Sequence, residues 1–547
     1  MQEVVQHEET QVDAPTNARG HGERASTIGA AVGSRVSMLF LLLAAFGWRM
    51  IGLTQQSFWR DEIDVIFLSL RPIRENLSMF ISPAQNGPLY YLLLRPWIDV
   101  AGSSEFAMRY TSVLFGVAAV ALLWQVARRL LPGGHSSGLA NAPLLTAIFL
   151  AINPYQLWYS QEGKMYALVV LLALLSTWSW LEAMRSGGGL RWLRYLLVTT
   201  ICIYTHLLTA LILPLHCVWF LLAWPVNRRR WQGYAGALSG FVLPYLPLVW
   251  WQWHYLTSLD YETGYGFTPF AEVLRVLLLG HTRGAFVDVD TAWLVPIFFL
   301  GMAGLLVGYQ ELRSIAEDRR PLLLNVDPRL RMAMIAAWLV LPVLLIFGVS
   351  LIKPLFVDRY VIWIAPSFAL LFAVGVQVIG HSGGRWATVL ALLVVVYAGA
   401  FWLWTGWQQT HSPNKTQLRE AVQYVAAQRL PDDLLNLTDS TRTARIVTTP
   451  AISAPIRSPT AISVSCRGWR ACGRRTACPT QEAIAQVDET MRRQTAGYTE
   501  AWVILVEAAS WDPRDLMVRW LDQNGELLDR TFFHGIEARK YRLGTGD

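Results

Sequence analysis

Long apolar runs separated by short polar segments fill roughly the first three quarters of the chain. Residues 167–181 and 387–404 contain no charged side chain, and each run approaches the roughly 20 residues that a helix needs to cross a bilayer core. The repetition of such runs predicts an all-α, polytopic membrane protein with about eleven transmembrane helices. The centres of the predicted spans are Leu43, Val117, Phe149, Leu172, Cys202, Leu215, Leu243, Ile297, Ala337, Ala369 and Val395.

One further apolar segment, residues 88–100, decides the predicted topology. It is short and contains Arg95, Pro96 and Asp99. If it does not cross the membrane, the arginine clusters between later spans and the arginines of the N-terminal tail share one side, which the positive-inside rule assigns to the cytoplasm. If it does cross, those later clusters face outward. We therefore predict that residues 88–100 form a juxtamembrane or re-entrant segment and that the N-terminus is cytoplasmic.

The distribution of apolar residues predicts three domains. Residues 1–33 are polar, lack the pattern of a cleavable signal peptide and are expected to form a disordered cytoplasmic tail. Residues 34–408 form the transmembrane domain, and residues 412–547 are predicted to be a small, external, soluble α/β domain. The periodicity of this last domain predicts helices at 416–430 and 514–521 and strands at 501–506, 527–533 and 536–543.

A segment near 441–480 interrupts the soluble domain. It is rich in Arg, Thr, Ser, Pro and Cys and has no periodicity. Its cysteines, Cys466, Cys472 and Cys478, favour one disulfide with an odd thiol over a zinc site, because no fourth ligand is evident. The sequence assigns no role to this domain.

Composition agrees with the membrane prediction and limits the partners. Of the 547 residues, 53% are hydrophobic and 16% are charged, whereas an ordinary soluble protein carries roughly 25% charged residues. The formal net charge is +7, but the arginines cluster between spans, and no basic stripe interleaved with aromatic residues is present. We therefore expect membrane lipids, and no nucleic acid, among the partners.

Paired carboxylates stand out in the first external loop. Asp61 and Glu62 follow directly after the first span, where a partly desolvated carboxylate could take a proton from a hydroxyl or hold a cation. The same pair also suits the solvated first turn of a helix, so both interpretations stay open. The predicted topology places four polar segments on this face: residues 54–105, 153–166, 255–290 and 351–360.

The second of these segments carries an acid and a base in an aromatic turn. An ionised group left in hydrocarbon would cost roughly 3 kcal/mol. Glu162 and Lys164 must therefore pair, reach the interface or line a wet cavity. An interfacial aromatic belt accounts for the tyrosines and the tryptophan of this turn, but not for Gln161 and Glu162.

Further polar groups lie at the external ends of later spans. His206 falls in a turn, where a single histidine is more often structural than catalytic. Lys353 and Arg359 lie on either side of Asp358, and Tyr360 follows. An ammonium and a guanidinium suit a phosphate, although snorkelling to lipid headgroups explains such cations equally well. One topology, chosen from arginine placement, brings all these groups to one face.

Taken in order, these segments resemble the bacterial GT-C glycosyltransferases related to protein O-mannosyltransferases and to the aminoarabinose transferase of lipid A (glycosyltransferase family 39). The resemblance covers roughly residues 40–374. Any one motif is weak, whereas the ordered set is fairly specific. The motifs are Asp61-Glu62, Asn-Gly-Pro-Leu-Tyr-Tyr at 86–91, Ser-Glu-Phe-Ala-Met-Arg at 104–109, Ser-Gln-Glu-Gly-Lys-Met-Tyr at 160–166, and Arg359-Tyr360 before Pro366.

The resemblance implies a GT-C-like fold and a transferase of the bacterial inner membrane. Such an enzyme moves a sugar from a polyprenyl-phosphate donor to a hydroxyl of a lipid, glycan or protein on the external face, with inversion. By position, Asp61 is implied as the catalytic base, with Glu62 beside it to orient groups or bind sugar hydroxyls. Lys164 stands where relatives usually carry Arg, which weakens a bidentate contact. The resemblance also implies that Lys353 and Arg359 hold the carrier phosphate. The full set of residues implied in substrate binding is Glu162, Lys164, Tyr166, His206, Lys353, Arg359 and Tyr360.

Metal dependence is left open by the resemblance, because some GT-C enzymes use a divalent cation and others do not. The sequence shows no dedicated metal cage, so no tightly bound metal or cofactor is expected. Two other classes of protein compete with the transferase. A transporter or lipid flippase predicts charges near span centres and repeated halves, neither of which the sequence shows. An inactive scaffold with a partner-binding tail would tolerate the loss of Asp61.

Overall fold

The computed structural model describes residues 17–80, 87–131, 141–257, 265–284, 287–316, 328–381, 384–437, 480–506 and 515–544. Several sequence predictions lie outside these ranges: Asn86 of the second motif, Cys466, Cys472 and Cys478, and nearly all of the irregular segment near 441–480. Within them, a helical membrane part is followed by a small α/β part.

The described residues of the membrane part are mainly helical, and each of the predicted span centres lies inside a helix. A 3-10 helix, Asp358–Ile364, directly precedes the second-last helix. In chain order, the α-helices are α1 (Asn17–Met50), α2 (Arg60–Leu70), α3 (Ile73–Ser78), α4 (Pro88–Ala101), α5 (Glu105–Leu130), α6 (Ala142–Ile152), α7 (Pro154–Ser160), α8 (Tyr166–Ser186), α9 (Gly189–Thr205), α10 (Ile212–Leu222), α11 (Trp224–Asn227), α12 (Trp231–Thr257), α13 (Phe270–Arg283), α14 (Val295–Ala316), α15 (Pro328–Ser350), α16 (Ala365–His381) and α17 (Gly384–His411).

Six helices of the described chain are long and apolar enough to cross a membrane. Shorter apolar helical segments, Ala142–Ile152 and Leu207–Leu222, add to them. The protein is therefore a multi-pass helical membrane protein, as predicted, while the count of about eleven spans stays a prediction. The six are Glu105–Leu130, Tyr166–Ser186, Thr291–Gly308, Arg329–Ser350, Asp358–Gly380 and Gly384–His411.

The first helix begins earlier than the sequence suggested. We expected residues 1–33 to be disordered, but α1 starts at Asn17. Residues 17–33 contain four glycines, which disfavour helix, but also four alanines and two arginines, which favour it, and no proline to interrupt it. A helix that begins in the apolar run can therefore continue into the polar tail.

The segment between α1 and α5 contains the three helices α2, α3 and α4. Gly87 precedes α4 with φ of 70°, and a Cβ there would come within 2.9 Å of the backbone oxygen of Thr205. Pro88 takes the first helical position, where its missing N–H costs nothing. The 14 residues of α4 rise roughly 21 Å, less than the ~30 Å of a bilayer core. This length supports the juxtamembrane prediction for residues 88–100.

Two glycines allow α14 and α16 to touch through their backbones. A Cβ on Gly304 would lie 2.1 Å from the backbone oxygen of Leu371, and one on Gly375 would lie 2.0 Å from that of Leu300. Small residues permit such close helix crossings in membranes. Because α16 continues the 3-10 helix that carries Arg359, this crossing anchors the helix next to that residue.

The C-terminal part is a small α/β domain, as predicted. It comprises α18 (Leu418–Gln428), β1 (Leu434–Leu437), α19 (Thr480–Thr495), β2 (Glu500–Val506), α20 (Leu516–Asn524), β3 (Gly525–Phe533) and β4 (Ile536–Leu543). The sheet order is β1-β2-β4-β3, with β1 parallel to β2 and the other pairs antiparallel. Side chains alternate along a strand, so Trp502 and Ile504 join the core on the α18 side, whereas Val503 and Leu505 pack with α19 and α20.

Candidate active site

Polar residues from distant parts of the sequence meet at one site. Asp61 and Glu62 lie in the first turn of α2, where the helix dipole favours carboxylates. Glu162 follows α7, and Arg359 lies in the 3-10 helix before α16. The linker between α17 and α18 adds Lys415, which the sequence did not predict.

Glu62 is fully buried, and protein groups already occupy its carboxylate oxygens. Arg109 donates from Nε to Oε1 at 2.8 Å and from Nη2 to Oε2 at 2.7 Å. The Nζ of Lys415 lies 3.1 Å from Oε2, and the backbone N–H of Gly163 donates to Oε1 at 2.8 Å. Burial by itself raises the pKa of Glu62, but Arg109, Lys415 and Gly163 outweigh burial and lower it to about 2. Glu62 is therefore ionised and closed to substrate.

Arg109 also holds the backbone segment that leads into α2. Its Nη1 donates to the backbone oxygens of Leu53 at 2.9 Å and Gln56 at 2.7 Å, and its Nη2 donates to that of Ser57 at 3.1 Å. A guanidinium has five N–H donors in a rigid fork, and here they bond three carbonyls and one carboxylate. The backbone before α2 is thereby held, which sets the direction of Asp61.

Asp61 points away from the buried network. Its side chain is 30% exposed, and its Oδ2 lies 3.4 Å from Nη2 of Arg359. Neighbouring helix residues project roughly 100° apart, so the burial of Glu62 leaves Asp61 on an accessible side of α2. An accessible carboxylate beside a guanidinium can accept a proton from a bound hydroxyl while the guanidinium holds an anion.

Aromatic residues hold Arg359 from its other side. Its Nε donates to the hydroxyl of Tyr166 at 2.9 Å. His206 packs near Tyr166 and Tyr360, with ring centroids 6.1 and 5.0 Å away, and the hydroxyls of Tyr360 and Tyr265 are 2.9 Å apart. Four residues implied by the resemblance thus form one cluster beside the first turn of α2.

Glu162 is buried without hydrogen-bond partners for either carboxylate oxygen among the described residues. Burial raises the pKa of Glu162, and the positive charge of Lys415 lowers it. The nearby carboxylates Glu62 and Asp61 raise it further, so that the pKa is about 7. Burial thus favours the protonated acid of Glu162 over its carboxylate. Because buried polar groups normally have a partner, the two oxygens indicate a place where a ligand completes the hydrogen bonding.

His206 resembles Glu162 in this respect. Both of its ring nitrogens are buried and lack partners within the part of the chain that the structure describes. Burial, with repulsion from Lys164 and Arg359, lowers its pKa to about 3, so the ring is neutral. Burial also lowers the pKa of Lys164, but Asp61 and Tyr91 outweigh burial and raise it, so this side chain stays charged.

Lys353 and Asp358 lie in the segment between α15 and α16. Lys353 is mostly buried. Asp358 accepts a hydrogen bond from the hydroxyl of Tyr155 at 2.8 Å, which joins the segment carrying Arg359 to α7. From sequence, an aromatic belt was enough to explain Tyr155. In the structure, Tyr155 also positions Asp358, the residue that precedes Arg359.

Sequence reasoning gave no site role to Arg109 or Lys415. Arg109 belongs to one of the motifs, and its signal was an arginine at the outer end of an apolar run, where an uncompensated charge is costly. Lys415 carried no motif. Only the folded chain shows that its linker passes Gln56 and Ser57.

Metal ligation was left open by the sequence. No group of three or more His, Cys, Asp or Glu side chains that could hold a metal occurs among the residues with described coordinates. Glu62, which might have joined Asp61 in such a group, is instead bonded to cations. The expectation of no tightly bound metal stays a prediction.

Comparison with known proteins agrees with the fold and with the resemblance. The helical membrane part followed by a small soluble domain is a GT-C-like fold. Residues 85–251 match the family described as dolichyl-phosphate-mannose-protein mannosyltransferase. No curated protein matches the sequence.

Solved structures cover nearly the whole chain at low identity. ArnT from Cupriavidus metallidurans in the apo state is similar with a TM-score of 0.54 and 13% identity, over 93% of this chain and 98% of that chain. ArnT bound to undecaprenyl phosphate gives 0.52, with the same identity and coverage. The Archaeoglobus fulgidus oligosaccharyltransferase in complex with Zn and sulfate gives 0.51 at 11% identity, over 92% of this chain and 72% of that chain. The predicted fold class is therefore confirmed.

Proposed function

We propose that this protein is a membrane glycosyltransferase that moves a sugar from a polyprenyl-phosphate donor to an acceptor hydroxyl, with inversion at the anomeric carbon. One observation carries the proposal: the accessible carboxylate of Asp61 lies 3.4 Å from the guanidinium of Arg359. A hydroxyl nucleophile needs a base and a phosphate leaving group needs a cation. The similar ArnT binds undecaprenyl phosphate, and the matching family takes its name from dolichyl-phosphate-mannose, which supports a lipid-phosphate donor.

Asp61 is the general base of this reaction. Its carboxylate takes the proton of the acceptor O–H while the acceptor oxygen forms a bond to the anomeric carbon. The bond from that carbon to the phosphate oxygen breaks, and its electron pair leaves with the lipid phosphate. Because attack comes from the face opposite the leaving phosphate, the configuration at the anomeric carbon inverts.

Arg359 and Lys353 stabilise the charge that appears on the departing phosphate. Hydrogen bonds between ionised partners are roughly twice as strong as neutral ones, and they gain further in a site that excludes water. The Nε of Arg359 is held by Tyr166, which fixes the plane of the guanidinium. His206 and Tyr360 pack around this pair and keep it in place.

The other two carboxylates of the site, Glu62 and Glu162, have different roles. Glu62 positions the site, because its oxygens already accept from Arg109, Lys415 and Gly163. Glu162 has hydrogen-bonding capacity that the described part of the chain leaves unfilled, and together with Lys164 it binds sugar hydroxyls. Glu62 therefore acts through the placement of Asp61, whereas Glu162 touches the donor.

We also propose that the site faces the outside of a bacterial inner membrane. The arginine clusters that mark cytoplasmic loops lie at the opposite ends of the spans in the predicted topology. A nucleotide sugar is not available on the outer face, which favours a lipid-linked donor. The acceptor is a hydroxyl of a lipid, glycan or protein.

Sugar transfer by the purified protein in lipid vesicles tests the proposal. Sugar-linked polyprenyl phosphates serve as donors, and wild type is compared with Asp61→Asn, which keeps the shape but removes the base. We expect turnover to fall about 10²- to 10⁴-fold, with unchanged donor binding and thermal unfolding. Asp99→Asn is the matched control, since Asp99 is exposed at the far end of α4.

Two results would contradict the proposal. Equal turnover of wild type and Asp61→Asn would assign the base elsewhere, first to Glu162. Absence of transfer from every donor, together with movement of lipid or solute across the vesicle, would favour the transporter.

A further inference from the structure

The linker between the membrane part and the soluble domain is tied to the first outer loop. The Oε1 of Gln56 accepts hydrogen bonds from the backbone N–H groups of Asn414 at 3.1 Å and Lys415 at 3.0 Å. The hydroxyl of Ser57 donates to the backbone oxygen of Thr416 at 2.7 Å. These contacts place the linker directly beside the first turn of α2.

The soluble domain holds the same linker from its other side. The backbone N–H of Gln417 donates to the backbone oxygen of His534 at 3.0 Å, and Oε1 of Gln417 accepts from the N–H of His534 at 2.8 Å. His534 lies in the turn between β3 and β4. Nearby, Arg419 on α18 forms an ion pair with Glu105 on α5 at 2.9 Å. The position of the linker therefore depends on where the soluble domain docks.

Lys415 extends from this linker into the membrane part. Its side chain is buried, its Nζ lies 3.1 Å from Oε2 of Glu62, and it sits 5.1 Å from the ring centroid of Trp158. Burial lowers the pKa of Lys415, with Arg109 adding repulsion, while Glu62 and Glu162 attract its charge. Lys415 therefore contacts Glu62 directly, and because Gly163 also bonds to Glu62, the lysine lies close to the adjacent residue Glu162.

Glu62 and Glu162 differ in what else supports them. Glu62 keeps the bidentate contact with Arg109 if Lys415 is removed. Glu162 has no hydrogen-bond donor among the described residues, and Lys415 is the leading cation in its surroundings. The titratable groups that interact with Glu162 from the elements around it are Asp61, Glu62, Tyr90, Arg109, Tyr159, Lys164, Tyr166, Arg359 and Lys415.

We propose that Lys415 is a positioning residue through which docking of the soluble domain completes the electrostatics of the sugar-binding carboxyl Glu162. The inference rests on the proposed function for the role of Glu162, whereas the contact between Lys415 and Glu62 does not. With the domain docked, the ammonium favours the carboxylate form of Glu162. With Lys415 withdrawn, the protonated form prevails at neutral pH, and the carboxyl then donates one hydrogen bond instead of only accepting them. The soluble domain therefore determines which hydrogen bonds the sugar site offers.

Infrared spectroscopy of the purified full chain tests this inference without relying on turnover. The carbonyl stretch of protonated Glu162, assigned by its loss in Glu162→Gln, is followed against pH. In Lys415→Met, which keeps the apolar stem and removes the charge, we expect the midpoint to rise by about one pH unit or more, a tenfold change in proton affinity. Lys415→Arg should restore the wild-type midpoint.

Lys540→Met is the matched control, because Lys540 pairs with Glu500 in the sheet of the soluble domain. We expect its midpoint to equal that of wild type. If Lys415→Arg fails to fold, the comparison of Lys415→Met with Lys540→Met still decides the matter. A midpoint that is the same in Lys415→Met and wild type overturns the inference.

Turnover measured on the same samples separates this inference from the proposed function. In an active enzyme, the pH–rate profile of Lys415→Met should move together with the infrared midpoint. An active enzyme with an unmoved midpoint rejects the inference and leaves the proposed function standing. A moved midpoint in a protein that transfers no sugar supports the influence of Lys415 on Glu162 and rejects the transferase.

Discussion

Two halves of the candidate site differ in how completely their polar groups are bonded. In the closed half, Arg109 and Lys415 both donate to the carboxylate of Glu62, and Arg109 also bonds the carbonyls that precede α2. In the open half, Glu162 and His206 are equally buried but have no hydrogen-bond partners in the described chain. Both halves exclude water, so the contrast does not come from exposure.

The difference shows that buried charge serves two purposes in this fold. The ion pairs of the closed half hold α2 in place. Loss of one partner of a buried pair strongly destabilises the protein, because the other charge is left uncompensated. In the open half, the carboxylate oxygens of Glu162 and the ring nitrogens of His206 are free to bond to a ligand, because the described chain offers them no partner. Substitutions in the closed half should therefore reduce stability, whereas those in the open half should change chemistry and pH dependence.

Loss of Arg109 should have the largest effect. In Arg109→Met the carboxylate of Glu62 loses its bidentate partner in a buried site, which costs roughly 3–5 kcal/mol of unfolding free energy. Thermal unfolding in detergent should show a large drop in Tm. Arg275→Met is the control, because Arg275 and Glu272 form a pair that is 60% and 40% exposed and worth about 0–1 kcal/mol. Equal Tm values for the two variants would show that the closed half does not hold the fold.

Replacement of Arg359 by lysine should affect activity without affecting stability. Arg359→Lys keeps the charge but loses the planar fork and the hydrogen bond from Nε to Tyr166. We expect kcat/KM for the lipid-linked donor to fall about 10- to 100-fold, with Tm unchanged. Arg530→Lys in the soluble domain, whose arginine pairs with Glu537, should leave both quantities at wild-type values. Unaltered kcat/KM in Arg359→Lys would remove this arginine from phosphate binding.

Glu162→Gln should give the smallest effect, visible mainly as a change in pH dependence. In the folded protein the pKa of Glu162 is raised from an ordinary value of 4.5 to about 7, and burial is the largest cause. Its contribution to stability is therefore present below pH ~4.5 and is lost as the pH rises through about 7. The variant lacks this loss, so its Tm relative to wild type should increase between about pH 5 and pH 8.

Glu537→Gln provides a control of opposite sign for that measurement. Partial burial raises the pKa of Glu537, but Arg539 and Arg530 outweigh it, so the pKa is lowered. Its stabilisation is present above the unfolded pKa, and the glutamine variant should be the less stable protein at about pH 8. A Tm difference for Glu162→Gln that does not vary with pH would place Glu162 in a fixed charge state.

Much of the membrane part followed from the sequence because a bilayer leaves few alternatives. Backbone groups in hydrocarbon must bond internally, so an apolar run long enough to span becomes a helix. The soluble domain was predictable to a similar degree, with strand Ile536–Leu543 found as expected. Strand Leu434–Leu437 was missed because four residues show too little periodicity, and helix Thr480–Thr495 adjoins the irregular segment.

The candidate site was predictable in its residue types and only partly in its contacts. Ordered motifs pointed to Asp61, Glu162 and Arg359 before their geometry was known. They did not indicate that Glu62 turns inward, since adjacent carboxylates look equivalent in a sequence. Lys415 and Glu62 are separated by 353 positions, and nothing local to either residue specifies the other.

The glycine contact between α14 and α16 has a mechanical consequence. With backbone atoms pressed together at Gly304 and Gly375, the two helices resist sliding and move as one rigid rod. Arg359 lies in the 3-10 helix that runs directly into α16. Under the proposed function, we therefore expect the guanidinium that holds the phosphate to shift little when a long lipid chain enters the site.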